Sequence, residues 1–228
     1  MIETYTVFID RNLHKEEFEQ LSSYVSCEKR ERIRRFRRFE DTQRSLLGEV
    51  LARYAICKRL GIKNNEITFG QNEYGKPVLT DLSSIHFNIS HSGDWVVCAI
   101  DNNPIGIDVE SIKPIEFSIA ESFFSKEEYT ALSNQDKGAW LIYFYRLWTL
   151  KESYIKAEGK GLSIPLKSFT INIERNKISI SSSQGSNNYH FKQLELDKEH
   201  MLAICSCHND FGTIHHVNNS LICEEIQL

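Results

Sequence analysis

The chain of 228 residues is 41% hydrophobic and 25% charged, which supplies core for one large globular domain or two small ones and argues against disorder. Its net charge is −4, yet residues 29–38 (KRERIRRFRR) carry seven Lys or Arg against one Glu, a window of +6 that leaves −10 on the rest. That pattern predicts a local anchor for a polyanion and excludes the broad basic surface of a nucleic-acid binder; with no apolar run able to span a bilayer, no membrane partner is expected.

In chain order, residues 3–10 alternate as a strand, and 14–25 and 28–39 read as helices, the second opening after Ser26 as N-cap. A longer helix is predicted from Thr42 to Leu60 and stopped by Gly61. Strands follow near 66–70 and 77–79, then a stronger pair at 85–90 and 95–101 around a Ser92-Gly93-Asp94 turn. Gly106-Ile107-Asp108-Val109-Glu110 reads as a further strand. A helix at 116–123 precedes another that opens at Ser125, with Glu128 three residues on as a capping box. The next helix runs over 137–158 and stops at Gly159 and Gly161; strands are predicted near 168–174, 177–182, 189–196 and 200–207.

The second half thus repeats the order of the first, and the apolar strand 95–100 is echoed by 200–205. An α+β chain of two similar subdomains is predicted, residues 1–104 and 105–228, related by an approximate twofold with a ligand cleft between them. The six cysteines (27, 57, 98, 205, 207 and 223) show no C-x-x-C spacing, and Met1–Tyr5 lacks the basic-then-apolar pattern of a signal peptide. Reduced thiols in a cytoplasmic protein are the expectation.

Several segments carry chemistry, each with a plainer reading beside it. Alternation puts Asp108 and Glu110 on one face, either as the wet face of an edge strand or as paired ligands for a hard cation. Glu152 and Lys156 lie one turn apart, and Thr149–Glu152 also matches a capping box, so both fit a surface ion pair worth about 0.3–0.5 kcal/mol as well as a functional site. Ser90-His91-Ser92-Gly93 places hydroxyls, an imidazole and a permissive glycine at one turn, an arrangement that can present donors to phosphate. Tyr74-Gly75-Lys76-Pro77 fits an ordinary turn or a backbone approach to a nucleotide. Lys29, Arg32 and Arg44 either belong to a solvated face or point into a cleft.

Together Glu28-Lys29-Arg30, Arg44-Ser45-Leu46-Leu47-Gly48, Tyr74-Gly75-Lys76-Pro77, His86–Gly93, Gly106–Glu110, Phe123-Phe124-Ser125-x-x-Glu128-Tyr129 and Trp148-x-x-Lys151-Glu152-x-x-x-Lys156-x-x-Gly159-x-Gly161 resemble the 4′-phosphopantetheinyl transferase superfamily, in its pseudo-dimeric, surfactin-synthetase-activating type. The resemblance covers nearly the whole chain. It implies transfer of the phosphopantetheine arm of coenzyme A to a serine of an apo peptidyl or acyl carrier protein, releasing adenosine 3′,5′-bisphosphate, by a monomeric enzyme with coenzyme A between its halves. It further implies Mg²⁺ on Asp108, Glu110 and Glu152, and phosphate contacts from Lys156 and His91. Lys29, Arg32, Arg44, Ser90 and His91 would serve the 3′-phosphate end, and Gly75 and Lys76 the adenine side. Arg32 stands where the family pattern has lysine, which changes the contact geometry. Glu152 is the expected base for the serine, as base, metal ligand or both. Phe117, Phe123, Phe124 and Tyr129 are either a docking surface for the carrier or core packing. Two other classes fit less of the sequence: a non-catalytic coenzyme A module needs neither three carboxylates nor Lys156, and an RNA-binding protein needs a broader basic surface.

Overall fold

Alternation decides how the two longest helices meet the sheets. The computed structural model describes residues 1–175, 177–182 and 188–226. The first half contains β1 (Ile2–Phe8), α1 (Lys15–Ser23), α2 (Cys27–Ile33), α3 (Phe39–Leu60), β2 (Phe69–Gln71), β3 (Pro77–Leu79), β4 (His86–Ser92) and β5 (Trp95–Asp101). The second begins with β6 (Ile105–Ser111), α4 (Phe117–Phe123), α5 (Lys126–Ser133) and α6 (Trp140–Glu158). It continues through β7 (Phe169–Glu174), β8 (Lys177–Ser182), β9 (His190–Asp197), β10 (His200–Ser206), β11 (Phe211–Val217) and α7 (Asn219–Glu225).

Two sheets carry the architecture, ordered β11-β1-β5-β4 and β6-β10-β9. Val96, Cys98 and Ile100 of β5 face α3 in the first core, whereas Trp95, Val97 and Ala99 face a separate cluster. In β10, Met201, Ala203 and Cys205 face α6, while Leu202 and Ile204 join that same separate cluster. With successive side chains on opposite faces, the layers are α3, first sheet, second sheet and α6, each sheet covered on both sides. This is why both strands read as unbroken apolar runs. Mixed helix and sheet in two corresponding halves agrees with the α+β expectation.

The edges of the two sheets, β4 and β6, meet through side chains. Alternation puts Asn88, Ser90 and Ser92 on one face of β4. Asn88 Oδ1 accepts from Ile107 N at 2.8 Å, Ser90 Oγ donates to Asp108 Oδ1 at 2.9 Å, and Ser92 Oγ donates to Glu110 Oε2 at 2.9 Å while accepting from Ser111 N at 3.0 Å. Three short polar residues therefore replace a backbone ladder between the halves and bring the His86–Gly93 and Gly106–Glu110 segments into register.

Several sequence expectations need revision. The helix expected over 28–39 ends at Ile33, and α3 starts only at Phe39. Arginines 34, 35, 37 and 38 at helical spacing repel one another, so the chain turns there instead. Ser26 does cap α2, accepting from Lys29 N at 3.1 Å. Residues 64–66 form a 3-10 turn, which delays the strand expected at 66–70 to Phe69. The expected second subdomain, residues 105–228, sends its tail to the first half. β11 pairs in parallel with β1, and Ile222 and Ile226 pack into the first core, so residues 211–226 belong with the first half.

Candidate active site

The site grows from three elements. β4 brings Ser90 and His91, β6 brings Asp108 and Glu110, and the last turns of α6 bring Glu152 and Lys156. Gly106 sets the spacing of β6 and α6: a Cβ there would collide with the Ser153 carbonyl and the Ala157 nitrogen, so no side chain fits between strand and helix. From the other side, α2 and α3 contribute Lys29, Arg32, Ser45, Gly48 and Glu49. All these residues line one open cavity of about 420 Å³. A second cavity of about 640 Å³ adjoins it and shares Lys29, Arg32, Glu49 and Ile89 as walls.

An ion pair stands at each end of this space. At one end Lys156 Nζ lies 2.6 Å from Asp108 Oδ1 and 3.0 Å from Ser90 Oγ. Asp108 is 3% exposed, and its Oδ2 has no hydrogen-bond partner. Burial pushes its pKa up against the pull of Lys156, and burial with the Asp108 charge raises Glu110 as well. Glu152 is pushed up to about 7, again by burial and then by Asp108. At the other end Lys29 is buried 3.7 Å from Glu49, and burial lowers it to about 8 although Glu49 pulls it back. Burial and the neighbouring cations Lys156, Arg44 and Lys29 depress His91.

Eight of the eleven residues singled out in the sequence converge on the 420 Å³ cavity: Lys29, Arg32, Ser90, His91, Asp108, Glu110, Glu152 and Lys156. Three do not. Arg44 is occupied by Asp41 at 2.6 Å and the Gly93 carbonyl at 2.9 Å and borders a separate, smaller cavity. Gly75 and Lys76 line neither of the two adjoining cavities. The Lys76 ammonium donates to the carbonyls of Lys156 at 2.6 Å and Ile105 at 3.0 Å. Plainer readings of the carboxylate segments also fall. Asp108 is buried and not a wet face; Lys156 pairs with Asp108; and Thr149 sits mid-helix, bonding back to the Tyr145 carbonyl at 2.9 Å, so it caps nothing.

Glu49 and Arg53 are functional-site residues that sequence reasoning missed. Arg53 holds Glu49 at 3.0 Å and is itself held by Asn64 and the Ile67 carbonyl, so Glu49 stands fixed behind Lys29. Their i,i+4 spacing on α3 was the available signal.

A family profile for the N-terminal part of 4′-phosphopantetheinyl transferases matches residues 12–103, and the profile of the superfamily itself matches residues 104–205. The 4′-phosphopantetheinyl transferase Sfp of Bacillus subtilis (strain 168) is 47% identical over 91% of this chain and 93% of its own length. The chain belongs to the 4′-phosphopantetheinyl transferase superfamily. A second relative in it, the transferase gsp of Aneurinibacillus migulanus, is 42% identical over 90% of this chain and 86% of its own. The human L-aminoadipate-semialdehyde dehydrogenase-phosphopantetheinyl transferase is 31% identical over 79% of the chain and 66% of its own length.

One residue pair shared by two of the transferase motifs lies away from the cavity. Lys151 is 0% exposed and donates to both oxygens of Glu128 at 2.7 Å and to the Phe169 carbonyl at 2.9 Å. Glu128 also closes the predicted capping box, accepting from Ser125 N at 2.8 Å, and receives Ile171 N at 2.6 Å. The pair locks α5, α6 and β7 together. Neither residue lines the cavity.

Proposed function

We propose that this transferase moves the 4′-phosphopantetheine arm of coenzyme A to a serine of apo peptidyl or acyl carrier proteins, releasing adenosine 3′,5′-bisphosphate. Its partners under this proposal are carrier domains of nonribosomal peptide or lipopeptide antibiotic synthetases. The observation that carries the reading is the lining of one cavity, which brings Lys29, Arg32, Lys156 and His91 together with the carboxylates Asp108, Glu110, Glu152 and Glu49. A ligand with several phosphate groups suits that lining once a divalent cation sits between its pyrophosphate and the carboxylates. A neutral or singly charged ligand does not.

The metal is part of the proposal. Among the described residues no group of three or more acidic, His or Cys side chains is already drawn together around one point. The donor chemistry nonetheless suits Mg²⁺: carboxylate oxygens only, one of them, Asp108 Oδ2, buried without a partner. Leaving such an oxygen unpaired costs roughly 1–3 kcal/mol or more, and a cation removes the cost. Asp108, Glu110 and Glu152 would hold the ion, which when bound supplies charge stabilisation to the pyrophosphate.

The chain's own residues do the rest. Lys156, already at the carboxylate end of the cavity, supplies the cation for charge that develops on the leaving phosphate. Lys29, Arg32 and His91 orient the nucleotide end. Glu152, which lines the cavity beside Asp108 and Lys156, takes the proton from the serine hydroxyl. The carrier approaches along α4 and α5. Phe117 and Phe123 are 40% and 39% exposed and suit a docking face together with Tyr129. Phe124, 2% exposed and 5.1 Å from the Phe144 ring, is core and leaves that set. We further propose a monomeric cytoplasmic enzyme, a setting that suits six free cysteines. No helix among the described residues is long and apolar enough to cross a membrane.

The test is incubation with coenzyme A, Mg²⁺ and apo carriers of the peptide-synthetase and fatty-acid types, read by intact mass. A phosphopantetheine-sized gain on the peptide-synthetase carrier supports the proposal. Coenzyme A binding with no gain on either carrier overturns it in favour of a non-catalytic binding module.

A further inference from the structure

A helix ends with four carbonyls that lack an intrahelical partner and with the negative end of its dipole. In α6 this end follows directly on Lys156, and the helix stops at Gly159 in the left-handed conformation, φ 73°. The Lys156 carbonyl accepts from the C-cap amide of Gly159 at 3.2 Å, and the other half of the chain adds further donors to this end. Asn72 Nδ2 donates to the Gly159 carbonyl at 2.7 Å, and Lys76 Nζ donates to the Lys156 carbonyl at 2.6 Å. Lys76 also holds the Ile105 carbonyl at 3.0 Å, at the start of the strand that carries Asp108.

The turn that presents these groups is itself organised by Asn72. Its Oδ1 accepts from Tyr74 N at 3.0 Å and Lys76 N at 2.9 Å, and Gly75 supplies the positive φ of 82° that closes the loop. Both ends of Lys156 are therefore fixed: its carbonyl by Lys76, its ammonium by Asp108 and Ser90. Meanwhile the Lys76 ammonium gives two of its three N–H groups to backbone carbonyls and is absent from the walls of both cavities.

We propose that the Asn72–Lys76 turn is a strap from the first half that holds the end of α6, so that Lys76 is a positioning residue acting through Lys156, and its ammonium does not act on coenzyme A itself. The catalytic part of this inference rests on the function proposed above; the strap does not.

Two readouts separate the parts. Amide hydrogen exchange in Lys76→Met should speed at residues 156–160 by tenfold or more relative to the rest of α6, whether or not the protein transfers anything. Unchanged exchange there overturns the strap. In single-turnover transfer, Lys76→Met should lose about 10- to 100-fold in a wild-type background, since a displacement near 1 Å costs on that order. In a Lys156→Ala background the same change should cost less than about twofold. Equal losses in both backgrounds overturn the action through Lys156, as would a loss seen wholly as weaker coenzyme A binding. If Lys76→Met fails to fold, Asn72→Ala removes the Gly159 contact together with the two turn-forming bonds from Tyr74 N and Lys76 N and should show the same pattern at two- to fivefold; uniform loss across both backgrounds again counts against it. A wild-type protein that transfers nothing overturns the proposed function and leaves the exchange result to decide the strap.

Discussion

Two lysines five residues apart on α6 each meet a carboxylate, and the two pairs could hardly differ more. Lys151 and Glu128 are sealed in the second core, and both oxygens of Glu128 have a lysine and a backbone N–H as partners. The Lys151 ammonium also lies 4.1 Å from the centre of the Phe169 ring. Lys156 and Asp108 sit at the cavity wall, where one carboxylate oxygen is shared with Ser90 and the other is left without a partner. A buried ion pair is tolerable when every lone pair and proton is used, and a half-finished one is costly. The finished pair is framework. The unfinished one is where a ligand has room to complete the set.

The sharpest way to break this contrast is on the unfinished side. Glu152→Gln should keep coenzyme A binding within a few-fold and lose turnover by at least 10²-fold, the range of a general base; wild-type turnover in that variant removes Glu152 as base. Asp108→Ala should lose activity comparably, with its dependence on Mg²⁺ concentration shifted upward. An unchanged metal titration would count against Asp108 as a ligand.

On the finished side the expected damage is to folding. Glu128→Gln leaves Lys151 buried without its counter-charge, and breaking such a pair costs roughly 3–5 kcal/mol. Denaturant unfolding should show that loss, while the protein that remains folded binds coenzyme A normally. Replacing both members, Glu128→Leu with Lys151→Met, should recover much of the stability, because a matched apolar pair needs no partner. If the single variant is as stable as wild type but inactive, the division between framework and site is wrong.

How far the sequence disclosed this contrast depends on the range of each signal. Gly106–Glu110 was legible because strand alternation is local, and the end of α6 because Gly159 marks it. The Ser125–Glu128 capping box was legible for the same reason and forms as read. Its second partner, Lys151, lies 23 residues away, and nothing local announces such a contact. Lys76 was misplaced for an identical reason: its carbonyl partners are 29 and 80 residues distant, so a Gly-Lys-Pro turn reads as pointing at a ligand. Asn88 and Ser92 belonged to a recognised segment, but their bonds to β6 require knowing that the two edges meet. The pairing of β11 with β1 joins opposite ends of the chain and leaves no trace in either strand.

The smallest expected effect concerns the other end of the cavity and asks whether its cations are as open as Lys156. Lys29 has a pKa lowered to about 8, chiefly by burial and further by Arg32 and Arg53, with Glu49 opposing. A lysine with a lowered pKa is cationic below that value and neutral above it, so its pull on a phosphate is complete near pH 7 and fades as pH rises through 8. Coenzyme A affinity should therefore be flat up to about pH 7.5 and then fall, by at most tenfold per pH unit for one proton. Lys29→Arg keeps its charge throughout and should flatten the profile with only a few-fold change in affinity at pH 7. Lys76 is also lowered to about 8, but it faces carbonyls, so Lys76→Met should leave the slope in place. A slope that persists in Lys29→Arg and vanishes in Lys76→Met would exchange the two assignments and make Lys76, not Lys29, the open cation.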